Sequence, residues 1–508
     1  MLFYTIQILA LLITLVLSYL YVRWRSVKGY WAKFGVVYSP PNPLCGSLTF
    51  LLRKNVVSGI WMRETYEKFI IRGSRVKYIG IWFFWKPVLL VCDPDIARNV
   101  LVKDFGNFRN RNLGSGSNDP IGALNIFTVD DPVWSQVRRR LTPVFTSSKL
   151  KQLQSYIRSK SKEVVQRIAL EKGNRIDLRQ LLSDYTTDVI GTSAFGITSD
   201  ATLTGDSSLR AITKEFMKFS IYRGCCWTSI FFWPEIVEMF RFTFFPKESV
   251  DFFRKIYKTI ASQRKVDTTS QHRDLLDALL QIQKKAEEQG EEFSDDLLIA
   301  QGAIFLQAGF DTSSAVLTFL FNELAHAPHI QEKVYAELME AKQRNGSEDF
   351  DTDQLEELTY FNCVIKEALR KNPPMGWLDR IAANDYVIDE HLTVKAGTPV
   401  VVNAIGMHYD PEYFPDPYKF DPDRFLPENE ENIKPYTYMP FGEGPRNCIG
   451  MRFAQMSMRM AASEMILNYK LEPYPDTPLP DKCEVEKRGT LYLPGEINQY
   501  PNYKRKKG

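Results

Sequence analysis

The sequence predicts a mainly α-helical body with small β-sheets, preceded by one N-terminal transmembrane helix. Three observations predict it. Residues 1–22 carry no charge and are rich in Leu, Ile, Val, Phe and Tyr. Ser294 to His326 has the length and the end residues of one long helix. The 508 residues contain no Gly/Ser or Pro-rich tract, no long like-charge block and no repeat period, so one large domain, residues 47–508, is expected behind the leader.

As a helix, Met1 to Val22 would reach about 33 Å, enough to cross the hydrocarbon layer. Arg23, Arg25 and Lys28 follow at once and place the downstream chain on the cytosolic side. A cleaved secretory signal needs a charged start, a shorter apolar run and a small-residue cleavage site, none of which is present, so an uncleaved anchor is expected. Residues 23–46 read as a basic stop-transfer segment and a stiff hinge built on Pro40-Pro41-Asn42-Pro43. Small sheets are expected from Val76 to Cys92, around Lys86-Pro87, and near Val387 to Asn403. In the long helix Ser294 can cap, Asp295 and Asp296 suit the first turn, and Pro328 closes it.

With 64 basic and 61 acidic residues the net charge is +3, which implies no polyanion-binding field and no nucleic-acid partner. Lys504-Arg505-Lys506-Lys507 reads as a solvated tail. Seven scattered cysteines without C-x-x-C pairs argue against a disulfide framework or zinc cage and for a reducing compartment. None of the five histidines has H-E-x-x-H spacing, which argues against zinc hydrolysis.

The chemistry concentrates near the C-terminal end. Phe441-Gly442-Glu443-Gly444-Pro445-Arg446-Asn447-Cys448-Ile449-Gly450 precedes a helical pattern from Met451 to about Ile466. This is a Gly/Pro-shaped loop that delivers a cysteine to a helix N-terminus, where unpaired N–H groups and the dipole lower a thiol pKa. Gly444 and Gly450 let the backbone turn and approach a flat partner, Phe441 can shield the sulfur, and Arg446 can offer a fork of donors to a carboxylate. Within the long helix, Ala308-Gly309-Phe310-Asp311-Thr312 sets small residues before a hydroxyl that can compete for backbone carbonyls and invite a bend. A mid-helix Gly costs about 1 kcal/mol relative to Ala, and close helix packing is the plain reason for one. Glu367 and Arg370 stand at i and i+3 on a helix stopped by Asn372-Pro373-Pro374.

The Cys448 loop resembles the haem-binding loop F-x-x-G-x-R-x-C-x-G of the cytochrome P450 family, matching at Phe441, Gly444, Arg446, Cys448 and Gly450. Further matches fall in the family's order along essentially the whole chain. Ala308, Gly309, Asp311 and Thr312 are similar to the A-G-x-D-T groove, Glu367 and Arg370 to E-x-x-R, Arg424 to the arginine of P-E-R-F (with Asp423 where Glu is commoner), and Trp134 and Arg138 to W-x-x-x-R. The resemblance implies a P450 fold, haem b with the Cys448 thiolate as axial ligand, and a charge network of Glu367, Arg370 and Arg424. It implies Trp134, Arg138, Arg380 and Arg446 at the haem propionates, and Thr312 backed by Asp311 guiding protons to bound oxygen. Substrate walls would include Phe108, Phe127, Phe216, Ile304, Phe305, Ala308, Met375, Gly376 and Tyr492, with Asn372 and Gly376, in place of commoner Tyr and Pro, widening the cavity. Pro132 stands before Trp134 where the family more often has Gly-Glu.

The loop sequence looks most like insect microsomal members, many of which attack plant toxins and insecticides. The resemblance therefore implies a monooxygenase on the cytosolic face of the endoplasmic reticulum membrane. No G-x-G-x-x-G lies between strand and helix, so electrons must come from a partner. The resemblance implies a membrane-bound NADPH-dependent P450 reductase and a small haem electron carrier. Arg138, Arg139, Arg140, Lys149 and Lys151 are candidates to meet an acidic partner. Phe231-Phe232-Trp233-Pro234 and Phe244-Phe245-Pro246 suggest a loop dipping into the bilayer interface, through which lipophilic substrates enter. Two rival readings stay open: an isomerase or dehydratase of the same fold that needs no outside electrons, and a tethered haem sensor or hydrophobic-ligand carrier.

Overall fold

The computed structural model describes residues 2–53, 56–170, 176–218, 220–266, 274–291, 293–347, 349–474, 477, 479–482 and 502–505. Helix α1 spans Leu2–Lys28, and its apolar side chains stand exposed from Phe3 to Val22, as a membrane span requires. The residues after it are tied to the body. Trp31 is buried and donates through Nε1 to Ile81 O at 3.0 Å, and a Cβ on Gly80 would collide with its ring at 2.3 Å. Trp82 Nε1 donates to Val27 O, Trp85 Nε1 donates to Pro43 O, and the Trp24 and Trp85 rings meet at 5.8 Å. The end of α1 and the Pro segment are thus fastened to the first sheet, because indole groups of the sheet satisfy Val27 O and Pro43 O.

That sheet has the order β1-β2-β6-β3, with β1 at Tyr78–Phe83, β2 at Lys86–Val91, β3 at Leu378–Ile381 and β6 at Pro399–Val402. The β1–β2 turn falls at Phe84-Trp85, two residues before the Lys86-Pro87 that the sequence suggests, and Pro87 lies inside β2 opposite Trp82. β2 and β6 run parallel, β6 and β3 antiparallel. A hairpin of β4 (Tyr386–Val387) and β5 (Thr393–Val394) fills the second expected region. β7 (Tyr469–Glu472) pairs antiparallel with β8 (Asn502–Arg505), so Lys504 and Arg505 belong to a strand and not to a tail.

Helices make the rest: α2 (Val133–Leu141), α3 (Leu178–Phe195), α4 (Leu275–Glu288), α5 (Asp295–His326), α6 (Thr359–Lys371) and α7 (Met451–Asn468) are those the site uses. Ser294 caps α5 by accepting from Leu297 N, and Pro328 opens the following helix. α5 is mostly buried and packs along α3 so closely that Cβ atoms on Gly302 and Gly309 would lie 2.9 Å from Phe195 and 2.8 Å from Ile190. The plain reason for a mid-helix glycine therefore holds at Gly309: it admits α3.

The aromatic segment departs from expectation. Phe231, Phe232, Phe244 and Phe245 are all core residues, whereas Ile221, Tyr222, Trp233, Met239 and Phe240 are exposed. The Phe244 loop tolerates burial because Asp119 accepts from Phe244 N, and Arg223 donates to the carbonyls of Thr243 and Phe244, which answers its backbone polar groups.

Candidate active site

Backbone hydrogen bonds shape the Cys448 loop. Gly442 N donates to Met439 O at 3.1 Å, Asn447 N to Gly444 O at 3.0 Å, and Cys448 N to Phe441 O at 2.9 Å. At Gly444 φ is 74°, and a Cβ would also lie 1.9 Å from Leu101 O, so only glycine fits. Gly450 is different. Its φ is −89° and a Cβ there would meet nothing, so it leaves open room where α7 begins. Burial pushes the Cys448 thiol up, while the Gly450 N–H and the Arg138 and Arg111 guanidiniums pull it down. The net shift is upward, opposite to the helix-terminus expectation, because the surrounding protein desolvates the thiol even though its own surface is accessible. A metal would reverse the sign, since a coordinating thiol is deprotonated.

The side chains around the loop divide their work. Arg138 donates to Asn447 O at 2.8 Å and Asn447 Oδ1 at 2.7 Å, bracing the residue before Cys448. Trp134, on the same face of α2, lies 4.3 Å under the Arg446 guanidinium. Arg446 donates to Val129 O, and Arg380 to its neighbour's carbonyl on β3. A fourth cation was not legible in the sequence. Arg111 sits over the Phe127 ring at 4.4 Å and donates to Arg446 O.

These guanidiniums are short of partners. Nε of Arg111, Arg380 and Arg446, and Nη1 of Arg446, are buried without a hydrogen-bond partner in the protein. Burial first, and then the neighbouring arginines, push Arg380 and Arg446 down to about 9. A guanidinium does not give up its proton in a protein, so the depression marks a missing counter-charge. Asp130 and Asp379 are the nearby acids, and Asp379 Oδ2 accepts from Asn112 N. A ligand carrying carboxylates would supply the missing counter-charge, and the two haem propionates fit that need.

On the other side stands α5. Thr312 Oγ1 donates to Ala308 O at 2.7 Å, and the helix runs on unbroken. Asp311 is buried and paired with Arg179 of α3, which also donates to Ser314. Ala308 and Cys448 are accessible although the segments around them are embedded, so each presents an open inner face.

Arg370 and Glu367 form the closed centre of the charge network, while Arg424 Nε is left without a hydrogen-bond partner. Arg370 donates to both Glu367 oxygens at 2.7 and 2.8 Å, to His408 O at 2.7 Å and to Pro417 O at 2.8 Å. Arg424 stands 3.6 Å from Glu367, whereas Asp423 is outside, on Lys333. His408 joins this network to the loop: Nδ1 donates to Arg370 O, and Nε2 accepts from Met439 N.

The expected substrate walls fare unevenly. Phe108 is buried against Tyr386, Phe216 against Phe253 and Phe310, and Phe305 packs on Phe145. Gly376 does not widen a cavity, because Ile405 occupies the space where its Cβ would be. Ile304 is buried on α5, whereas Phe127 and Met375 are half-buried; Tyr492 lies outside the described residues. Of the five basic residues expected to meet a partner, Arg138 is engaged by Asn447, Arg140 by Glu291 and Lys151 by Asp353.

A single cysteine at a helix N-terminus, an accessible stretch of a core helix and a cradle of unanswered guanidiniums are the groups that a haem-thiolate site requires. The chain belongs to the cytochrome P450 family, whose model matches residues 39–498; its members are monooxygenases that carry haem on a cysteine thiolate. Cytochrome P450 6k1 of Blattella germanica is 32% identical over 496 residues, covering 93% of this chain and 92% of that protein. Cytochrome P450 6a2 of Drosophila melanogaster is 32% identical, with 93% and 95% covered. Cytochrome P450 3A9 of Rattus norvegicus is 33% identical, with 95% and 94% covered.

Proposed function

We propose that the chain inserts one oxygen atom of O2 into small lipophilic molecules such as plant toxins or insecticides, at the cytosolic face of the endoplasmic reticulum membrane. A C–H bond becomes C–OH, the second oxygen leaves as water, and two electrons come from NADPH through a membrane-bound reductase or, for one of them, a small haem carrier. Haem held by the Cys448 thiolate would supply the oxygen activation. The chain's own residues do the holding and the proton work. Arg111, Arg380 and Arg446 would hold the propionates through their unpartnered N–H groups, with Trp134 supporting Arg446. Arg138 steadies Asn447 and through it Cys448. Thr312 lends its hydroxyl proton to Ala308 O and can turn it to the open face, with Asp311 held behind it by Arg179.

The observation that carries this reading is the set of buried guanidinium donors without partners beside Cys448. Helix α1 holds the body at the bilayer, and exposed Ile221, Tyr222, Trp233, Met239 and Phe240 offer a second lipid contact. The test is reconstitution of the full chain in lipid with reductase, NADPH and isotopically labelled O2, screening furanocoumarins, pyrethroids, fatty acids and steroids. Labelled oxygen in one product, dependent on reductase, supports the proposal. Product without NADPH use would mean an isomerase or dehydratase, and binding without turnover a sensor or carrier.

A further inference from the structure

Away from the Cys448 loop, a cleft of about 1060 Å³ opens between α2, the turn after it, the end of α3 and α4. We propose that this cleft binds a small organic anion with a flat apolar body. The charges that line it are Arg139, Arg140, Lys149 and Lys285 against Asp274, Asp277 and Glu291. Asp274 is taken by Arg264, and Glu291 by Arg140. Asp277 accepts from Gln281. Arg139, Lys149 and Lys285 have no carboxylate within ion-pair distance among the described residues, so the rim keeps an excess of positive charge that favours an anion.

A second observation points inward. Ser193 lines the cleft at 4% exposure, and its hydroxyl has no hydrogen-bond partner. A buried polar group left this way calls for a partner from outside the protein. The floor beside it is apolar: Phe145, Ile190 and Phe453. Cations above, hydrocarbon below and one hydroxyl at depth match an aryl sulfonate, carboxylate or phosphate. Haem does not account for these groups, because its propionates are matched by the arginines at Cys448. The site also has a route to α5, since Phe145 packs on Phe305 at 5.3 Å and Ile190 fills the space at Gly309.

The experiment uses the full haem protein in lipid nanodiscs, with imidazole on the iron to close the active site. Calorimetry compares naphthalene sulfonate with uncharged naphthalene methanol. One equivalent of the sulfonate should bind, at least about tenfold more tightly than the alcohol, as charge-assisted contacts imply. The double variant Lys149→Glu/Lys285→Glu should weaken sulfonate binding at least about tenfold by the same reasoning. Ala194→Phe, which fills the cleft, should abolish it, with the CO spectrum reporting that each variant is folded. Absence of binding to the wild type, an affinity that the charge variant leaves unchanged, or equal affinity for sulfonate and alcohol overturns the proposal.

Discussion

Arg370→Met should unfasten the body from within. Arg370 and Glu367 are both fully buried, so removing the guanidinium leaves a carboxylate with only Asp421 N at 2.9 Å and Arg424 at 3.6 Å. Breaking a buried pair in this way costs about 3–5 kcal/mol. The carbonyls of His408 and Pro417 lose a charged donor as well, at about 1–3 kcal/mol for each group left unsatisfied. For a body of roughly 460 residues the unfolding entropy is about 1 kcal/mol/K, so the midpoint should fall by at least about 3–5 °C. Replacing both partners, as Arg370→Met/Glu367→Leu, removes the abandoned charge but not the orphaned carbonyls. The double variant should recover about half of the loss. The assay is heating at fixed scan rate, read by helical circular dichroism and by haem absorbance. A single variant as stable as the wild type, or a double variant no better than the single, refutes the reasoning.

His408 is buried and neutral, with burial pushing its pKa down to about 3. The unfolded chain takes up that proton first, so the contribution is whole above about pH 6.5 and shrinks by about 1.4 kcal/mol per pH unit below it; urea titrations from pH 7 to 5 should show a shallower decline for His408→Gln. Gly309→Ala gains about 1 kcal/mol of helix propensity but overpacks against Ile190 at a cost of about 1–3 kcal/mol. It should be neutral to destabilising, and Ile190→Ala should relieve it in thermal unfolding of the double variant. Thr312→Val should raise peroxide released per NADPH and lower product, whereas Thr312→Ser keeps most coupling, since a positioned proton donor is worth about 10²–10⁴ in rate; the opposite order would make Thr312 a space-filler.

What the sequence disclosed was local. The cap and first turn of the long helix, the Gly-Pro-Arg setting of Cys448 and the i, i+3 pair of Glu367 and Arg370 are each written in neighbouring residues. Partners distant in sequence were not legible. Arg111 lies on an irregular stretch with Arg109, and nothing local separates the deeply set guanidinium from the exposed one paired with Asp131. Gly309 announced a close approach but not whether haem or Ile190 made it. The Phe244 loop read as surface because its proline suggested an unburiable backbone, and only the fold brings in Asp119 and Arg223 to satisfy it. The ties of the 23–46 segment were equally illegible, since Trp82 and Trp85 lie far along the chain from the carbonyls they bond.

The central claim is that Cys448 is the thiolate that holds the haem. Its most direct measurement is the absorption spectrum of the reduced, CO-bound protein. The wild type should show the red-shifted Soret band of a thiolate-ligated haem, Cys225→Ala, Cys226→Ala and Cys363→Ala should keep it, and Cys448→Ala should lose it. Retention of the band in Cys448→Ala would contradict the account.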